Sequence, residues 1–236
     1  KKMNILMTRP LIDAEDLMEK IFSLGHKIIH IPTLKISSTK IDPIDASQYN
    51  AFIFTSANAI RNLEVIKQDK SKLCFCVGAI TEKIVRMSGY NNTVSAGGTV
   101  NALKNLIVSS SQINEKSKIA YFCGDNISYD LDLELKREGI ETNKIINYTS
   151  EKITDLNEEN KKIISSHPPD IIFVYSARSA VSFIEIVKKY SLYPLMTGSK
   201  VMCISKKVAD IFTIDNWKKI KIFNPGDELL QLEEKK

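Results

Sequence analysis

Residues 51–60 read AFIFTSANAI. Ala51, Phe52, Ile53 and Phe54 are apolar without alternation, as in a strand covered on both faces; a half-exposed strand would alternate. The run 51–55 is therefore assigned as a buried strand. Ser56 stands where a helix N-cap belongs, because its oxygen can accept a free N–H of the first turn. The spacing then predicts a helix over 59–66. Residues 172–181, IFVYSARSAV, repeat this order of buried strand, serine, alanine and helix. Strand, short turn and helix in succession predict parallel sheets with helices on both faces.

The same grammar extends outward. NILMTRP and DAEDLMEKIFSLGHKIIHIPT, within 4–33, are echoed by IAYFCGDN and YDLDLELKREGIETNKIINYT, within 119–149. CFCVGAITEKIV (74–85) is echoed by VMCISKKVADIF (201–212). Further strands are assigned to 4–7, 27–31, 73–77, 118–123, 142–148, 171–175, 201–204 and 220–223. Helical periodicity marks 13–24, 81–87, 99–108, 130–137, 155–165, 180–190 and 206–212. Pro32 interrupts the pattern and opens a polar stretch over 35–40. The echo predicts two α/β units of similar architecture.

With 43% hydrophobic and 26% charged residues among 236, the chain has an ordinary globular composition, which excludes disorder and disulfide scaffolds. No apolar run approaches the roughly 18 residues of a membrane helix. No stretch of signal-peptide length follows Lys1-Lys2-Met3, so the expected location is the cytoplasm. The net charge of +5 is mild and suits an anionic small molecule. The basic doublets Lys161/Lys162, Lys188/Lys189, Lys206/Lys207 and Lys218/Lys219 are spread out, which argues against nucleic acid. Cys74, Cys76, Cys123 and Cys203 lie in strand-like runs, and His26, His30 and His167 are scattered. Reduced, packed thiols and no metal site are expected. Phosphate-loop, dinucleotide and nucleophile-elbow motifs are missing, so no cofactor is expected.

Ligands of open parallel sheets bind at the carboxyl ends of the strands. Here those ends carry Thr8-Arg9-Pro10, Thr55-Ser56-Ala57-Asn58, Gly78 to Thr81, Cys123-Gly124-Asp125-Asn126, Tyr175-Ser176-Ala177-Arg178 and Ile204-Ser205-Lys206-Lys207. Each is a turn opening a helix, with free N–H groups and the positive end of the helix dipole. Together they read either as a receptor for a ligand with several anionic groups or as plain helix caps. Tyr148 ends a strand beside Thr149-Ser150. Its hydroxyl suits a weak acid or an orienting donor, and equally a packed ring at an interface.

ILMTRP, SLGHKIIHIPTLKI, FIFTSANAIRNL, CVGAITEKIVRMSGY, YFCGD, LELKREGIETNKIINYTSE, PDIIFVYSARSAVSFI and VMCISKKVADI follow one another along nearly the whole chain. In that order they resemble the uroporphyrinogen-III synthases. The resemblance implies two parallel-sheet α/β domains joined by two extended linkers. One domain would take 1–34 and 150–236, the other 39–145, with linkers near 31–38 and 146–151. It implies action in heme (porphyrin) biosynthesis; apart from the resemblance, no exposed amphipathic zipper is apparent, so a monomer is expected, with no nucleic-acid or membrane partner. The substrate would be hydroxymethylbilane, a linear tetrapyrrole with eight carboxylates, held in the cleft between the domains. Loss of the ring A hydroxyl and attack by the substituted carbon of ring D would give a spiro intermediate. Reclosure with ring D inverted would follow. Tyr148 matches the family's linker tyrosine, proposed to assist hydroxyl departure. Ser56 and Ser176 match serines after two buried strands, Thr81 a helix-start threonine, and Arg9 the opening arginine. With Asn58, Gly124, Ser205, Lys206 and Lys207 they form the expected substrate-binding set. Two departures stand out: Ser205 replaces a usual glycine, and the loop after 118–123 lacks a common basic residue, for which Lys206 and Lys207 are candidate substitutes. A non-catalytic binder of an anionic metabolite is the alternative.

Overall fold

The computed structural model describes residues 2–232. The described residues fall into two compact units, residues 2–35 with 151–232, and residues 36–150. Residues 1 and 233–236 of the expected boundaries lie outside the described residues.

The first unit begins β1 (Asn4–Met7), α1 (Leu11–Ser23), β2 (Lys27–His30). The chain then passes through β3 (Leu34–Ser38) into the second unit: β4 (Ile44–Asp45), β5 (Ala51–Phe54), α2 (Ala57–Arg61), β6 (Val65–Ile66), β7 (Leu73–Cys76), α3 (Ala79–Met87), β8 (Thr93–Ser95), α4 (Val100–Val108), β9 (Lys118–Gly124), α5 (Leu131–Arg137) and β10 (Glu141–Lys152). Beyond β10 the first unit resumes with α6 (Glu158–Ser166), β11 (Ile171–Val174), α7 (Ala177–Lys189), α8 (Tyr193–Met196), β12 (Lys200–Cys203), α9 (Lys206–Ile214) and β13 (Ile220–Ile222). One sheet has the order β13-β12-β11-β1-β2 and the other β3-β10-β9-β5-β7-β8. Parallel pairing joins β5 to β9 and β7, and β11 to β1 and β12.

Side-chain alternation divides the core of the second unit. Phe52 and Phe54 face one way with Phe122 and Tyr90, and Ile53 faces the other with Phe75, Leu103 and Leu135. Phe54 stacks on Phe122 at 5.7 Å between centroids, and Phe52 meets Phe122 edge-on at 5.3 Å. Each fully buried phenylalanine contributes about 1.5–3 kcal/mol, so these rings fix the register of the central strands. Phe54 lies opposite both Cys76 and Phe122. The strands therefore end level, which brings Thr55-Ser56, Val77-Gly78 and Cys123-Gly124 to one edge. In the first unit Met7 lies opposite Phe173, and Phe173 opposite Met202. That register gathers Thr8-Arg9, Tyr175-Ser176 and Ile204-Ser205 in the same way.

Two local expectations are corrected. The helix expected over 59–66 ends at Arg61, and Val65–Ile66 instead pairs with Ile44–Asp45. The polar stretch 35–40 is largely strand: β3 neighbours β10, and the Thr39 N–H donates to the Asn147 carbonyl at 3.1 Å. Its short polar residues masked the period, because β3 lies at a sheet edge and few of its side chains are buried.

Candidate functional site

At the carboxyl edge of the second unit's sheet lies a cavity of about 170 Å3. Thr55, Ser56, Val100, Tyr121, Gly124, Asn126, Ile127, Ser128, Tyr129 and Tyr148 line it. None carries a charge, and six bear hydroxyls. Thr55 and Ser56 arrive from the end of β5, Gly124 from the end of β9, and Tyr148 from β10.

Gly124 and Tyr148 are made for each other. They are partners in the β9–β10 register. A Cβ on Gly124 would stand 2.6 Å from Tyr148 Cε2 and 2.7 Å from Cζ. The tyrosine ring thus lies directly on the glycine backbone, and any side chain there would displace it. The Asp125 N–H donates to the Tyr148 carbonyl at 3.1 Å, and Asp125 Oδ1 accepts from the Ser150 N–H at 3.0 Å. These bonds lock the turn after β9 onto β10.

Burial pushes the Tyr148 hydroxyl above its ordinary pKa, while hydrogen bonds from the Ser56 side chain and the Gly124 backbone act in the opposite sense. Burial also pushes Tyr121 up, and Thr55 Oγ1 stands 3.3 Å from the Tyr121 hydroxyl. Both phenols therefore stay protonated at neutral pH and act as hydrogen-bond donors. The arrangement can support a leaving oxygen or a carboxylate, but it supplies no strong base.

The remaining expected residues divide between the two edges. In the second unit, Ser56 caps α2 by accepting the Asn58 N–H at 3.2 Å. Asn58 Oδ1 accepts from Arg61 at 3.1 Å. Thr81 is buried in the first turn of α3. In the first unit, Ser176 accepts the Ser179 N–H at 3.0 Å and Ser205 the Val208 N–H at 3.4 Å, capping α7 and α9. Lys206 Nζ holds both oxygens of Asp210, at 2.7 and 2.9 Å, whereas Lys207 is exposed with no such partner among the described residues. Arg9 is engaged as well. Its guanidinium lies 4.4 Å above the Tyr175 ring, whose hydroxyl donates to the buried Glu228 at 3.1 Å. Arg9 and a carboxylate of the chain itself, Glu228, thus both engage Tyr175.

Sequence reasoning missed Tyr121, Ser128 and Tyr129 as cavity residues. Tyr121 had a usable signal: it alternates with Phe122 on β9, so the two rings face opposite ways. Asn147, 0% exposed, was also missed. Among the described residues no three His, Cys, Asp or Glu side chains gather as metal ligands, and no helix is long and apolar enough to cross a membrane.

The fold recurs in solved structures. A mutant uroporphyrinogen III synthase from the extremely thermophilic bacterium Thermus thermophilus is 13% identical, with a TM-score of 0.58, covering 98% of this chain and 100% of that one. The uroporphyrinogen-III synthetase of Helicobacter pylori 26695 is 17% identical, with a TM-score of 0.61 and the same coverage. At such identities the likeness establishes the two-domain α/β fold. No curated protein sequence matches the chain. The sequence profile described as Uroporphyrinogen-III synthase HemD matches residues 15–222, most of the chain. The chain therefore belongs to the uroporphyrinogen-III synthase family.

Proposed function

We propose that the hydroxyl-lined cavity beneath Tyr148 is where this cyclising lyase of heme biosynthesis assists departure of the terminal hydroxyl of hydroxymethylbilane. The reading rests on one observation: a tyrosine kept protonated by burial, seated on Gly124 and lining the cavity together with Ser56. At about 170 Å3 the cavity is below the roughly 300–1,000 Å3 of pockets that enclose a drug-sized ligand. It takes one ring or side arm of the substrate rather than the whole chain.

The ring A nitrogen pushes out the hydroxyl, to which Tyr148 donates a hydrogen bond, leaving an azafulvene cation. The substituted carbon of ring D attacks this cation. Fragmentation of the spiro intermediate and reclosure then give the type III isomer. The proton released as the last pyrrole regains aromaticity balances the one that leaves in water. Because the substrate supplies the reactivity, the protein's work is positioning and the exclusion of direct closure. Carboxylates of the bilane fall to Arg9, Ser56, Asn58, Thr81, Gly124, Ser176, Ser205, Lys206 and Lys207. Of the two lysines, Lys207 is the better placed, since Asp210 holds Lys206.

This reading includes a monomer in the cytoplasm without a nucleic-acid partner. Four buried, unpaired cysteines support a reducing compartment. Basic doublets already matched to acids argue against a phosphate-binding stripe: Lys161 with Glu158, Lys188 with Asp215 and Lys189 with Asp155.

The test is to supply hydroxymethylbilane and separate the products. Type III product above the spontaneous type I is the expected result, and type I alone refutes the activity. Tyr148→Phe should lower kcat several-fold or more with little change in stability. An unaltered kcat would demote Tyr148 to packing.

A further inference from the structure

Between Ile146 and Tyr148 the register of β10 shifts: Ile146 lies opposite Cys123 and Tyr148 opposite the very next residue, Gly124. Asn147 is therefore the extra residue of a β-bulge, a device that re-aims the side chains beside it. It is fully buried, and Nδ2 donates to the Ala59 carbonyl at 2.7 Å and to the Asn62 carbonyl at 3.1 Å. Two carbonyls converging on one amide fix its orientation, because only the NH2 end can meet them. Oδ1 is buried with no hydrogen-bond partner among the described residues. The side chain is thus committed to gripping the end of α2.

That grip matters because α2 spans only Ala57–Arg61. So short a helix cannot hold itself together, and its last carbonyls lack partners within the helix. Asn147 supplies those partners from a strand remote in sequence. At the other end of the same helix, Ser56 lines the cavity together with Tyr148, the residue next to Asn147.

We propose that Asn147 is a positioning residue of the reaction: bulged out of β10, it clamps α2 so that Ser56 keeps its place beside Tyr148 in the cavity lining. The proposal rests on the role given to Tyr148 above and extends it to a residue that touches no substrate. A change of about 1 Å in such a support can cost up to about 100-fold in rate.

The experiment compares the full-length parent, Asn147→Ala, Tyr148→Phe and the double variant for kcat, KM and the share of type III product. Asn147→Ala should lower kcat about tenfold or more, leave KM within about twofold, and raise the share of type I. In the Tyr148→Phe background the same change should add less than about twofold, since both act through one hydroxyl. If Tyr148→Phe is impaired and the two losses multiply, Asn147 does not act through Tyr148 and the proposal falls. If Tyr148→Phe is unimpaired, the reading of Tyr148 itself fails. Asn147→Gln keeps both donors on a side chain one methylene longer. A folded Asn147→Gln with parental kcat and isomer ratio overturns the proposal. So does failure of both Asn147 variants to fold, which would assign the residue to stability alone.

Discussion

Replacing Gly124 with alanine adds a single methyl group at the most crowded point of the site. The backbone there is not in the left-handed region, so the cost is steric rather than conformational. The new Cβ would meet Tyr148 Cε2 at 2.6 Å, Cζ at 2.7 Å and the hydroxyl oxygen at 3.0 Å. To restore an ordinary carbon contact of about 3.5 Å, the ring edge must retreat by about 0.9 Å from 2.6 Å. The Tyr148 backbone cannot follow, because its carbonyl is held by the Asp125 N–H and Asn147 beside it is pinned to α2. The ring must instead turn off its rotamer toward the cavity. Overpacking of this kind costs about 1–3 kcal/mol. For a chain of this size each kcal/mol lowers Tm by about 2–4 °C. The hydroxyl is also displaced within the cavity that it shares with Ser56, so kcat should fall by about 10- to 100-fold. Thermal unfolding followed by circular dichroism, together with isomer separation after incubation with hydroxymethylbilane, measures both effects. Tyr148→Ala added to Gly124→Ala removes the clash, so the pair should be more stable than the sum of the single changes. A Gly124→Ala variant with parental Tm, kcat and isomer ratio would refute the seating of Tyr148 on Gly124.

The lysine pair gives a second contrast. Lys207→Met should raise KM up to about fivefold at low ionic strength and leave kcat alone, as expected for one lost exposed contact. Lys206→Met should do little, because Asp210 already holds that ammonium group; the reverse ranking would show that the pairing is wrong. The thiols set an alkaline limit on stability. Burial pushes Cys123 up to about 11 and Cys76 and Cys203 up to about 12. With folded values raised, their contribution is fully present below the unfolded thiol value of about 8.5. It is lost as pH rises through the folded values, because the unfolded chain releases those protons first. Urea unfolding should therefore show stability falling steadily above about pH 8.5, with thiol reagents reacting only after unfolding. A profile flat to pH 11 would contradict the buried thiols.

The strands that carry large apolar side chains were legible from residue order. Phe52, Phe54, Ile172 and Val174 report burial by their own chemistry, and Ser56, Ser176 and Ser205 report helix starts because capping is a local bond. Elements whose partners are distant were harder to read. β3 is a strand through its pairing with β10, not through its own composition. The helix after Ser56 stops early because its end is bound to Asn147, 88 positions away from Ala59. The pattern of Arg9 was visible, yet its engagement was not: Tyr175, the ring that its guanidinium lies over, is far along the chain.

The sequence by itself determined the alternation of buried strands and helices, the repeat of that pattern in two units, and the small residues at the strand ends. Each follows from local physics, namely side-chain polarity, period and capping. Only the tertiary structure decided which of those ends become a site. Gly124 is unremarkable until parallel pairing with β10 places Tyr148 on it, and Asn147 reads as a polar strand residue until a bulge turns it inward onto α2. Pairing register and bulges are relations between segments far apart in sequence. Their positions are set by how the core rings of Phe52, Phe54 and Phe122 pack, and a single strand read alone carries no record of that.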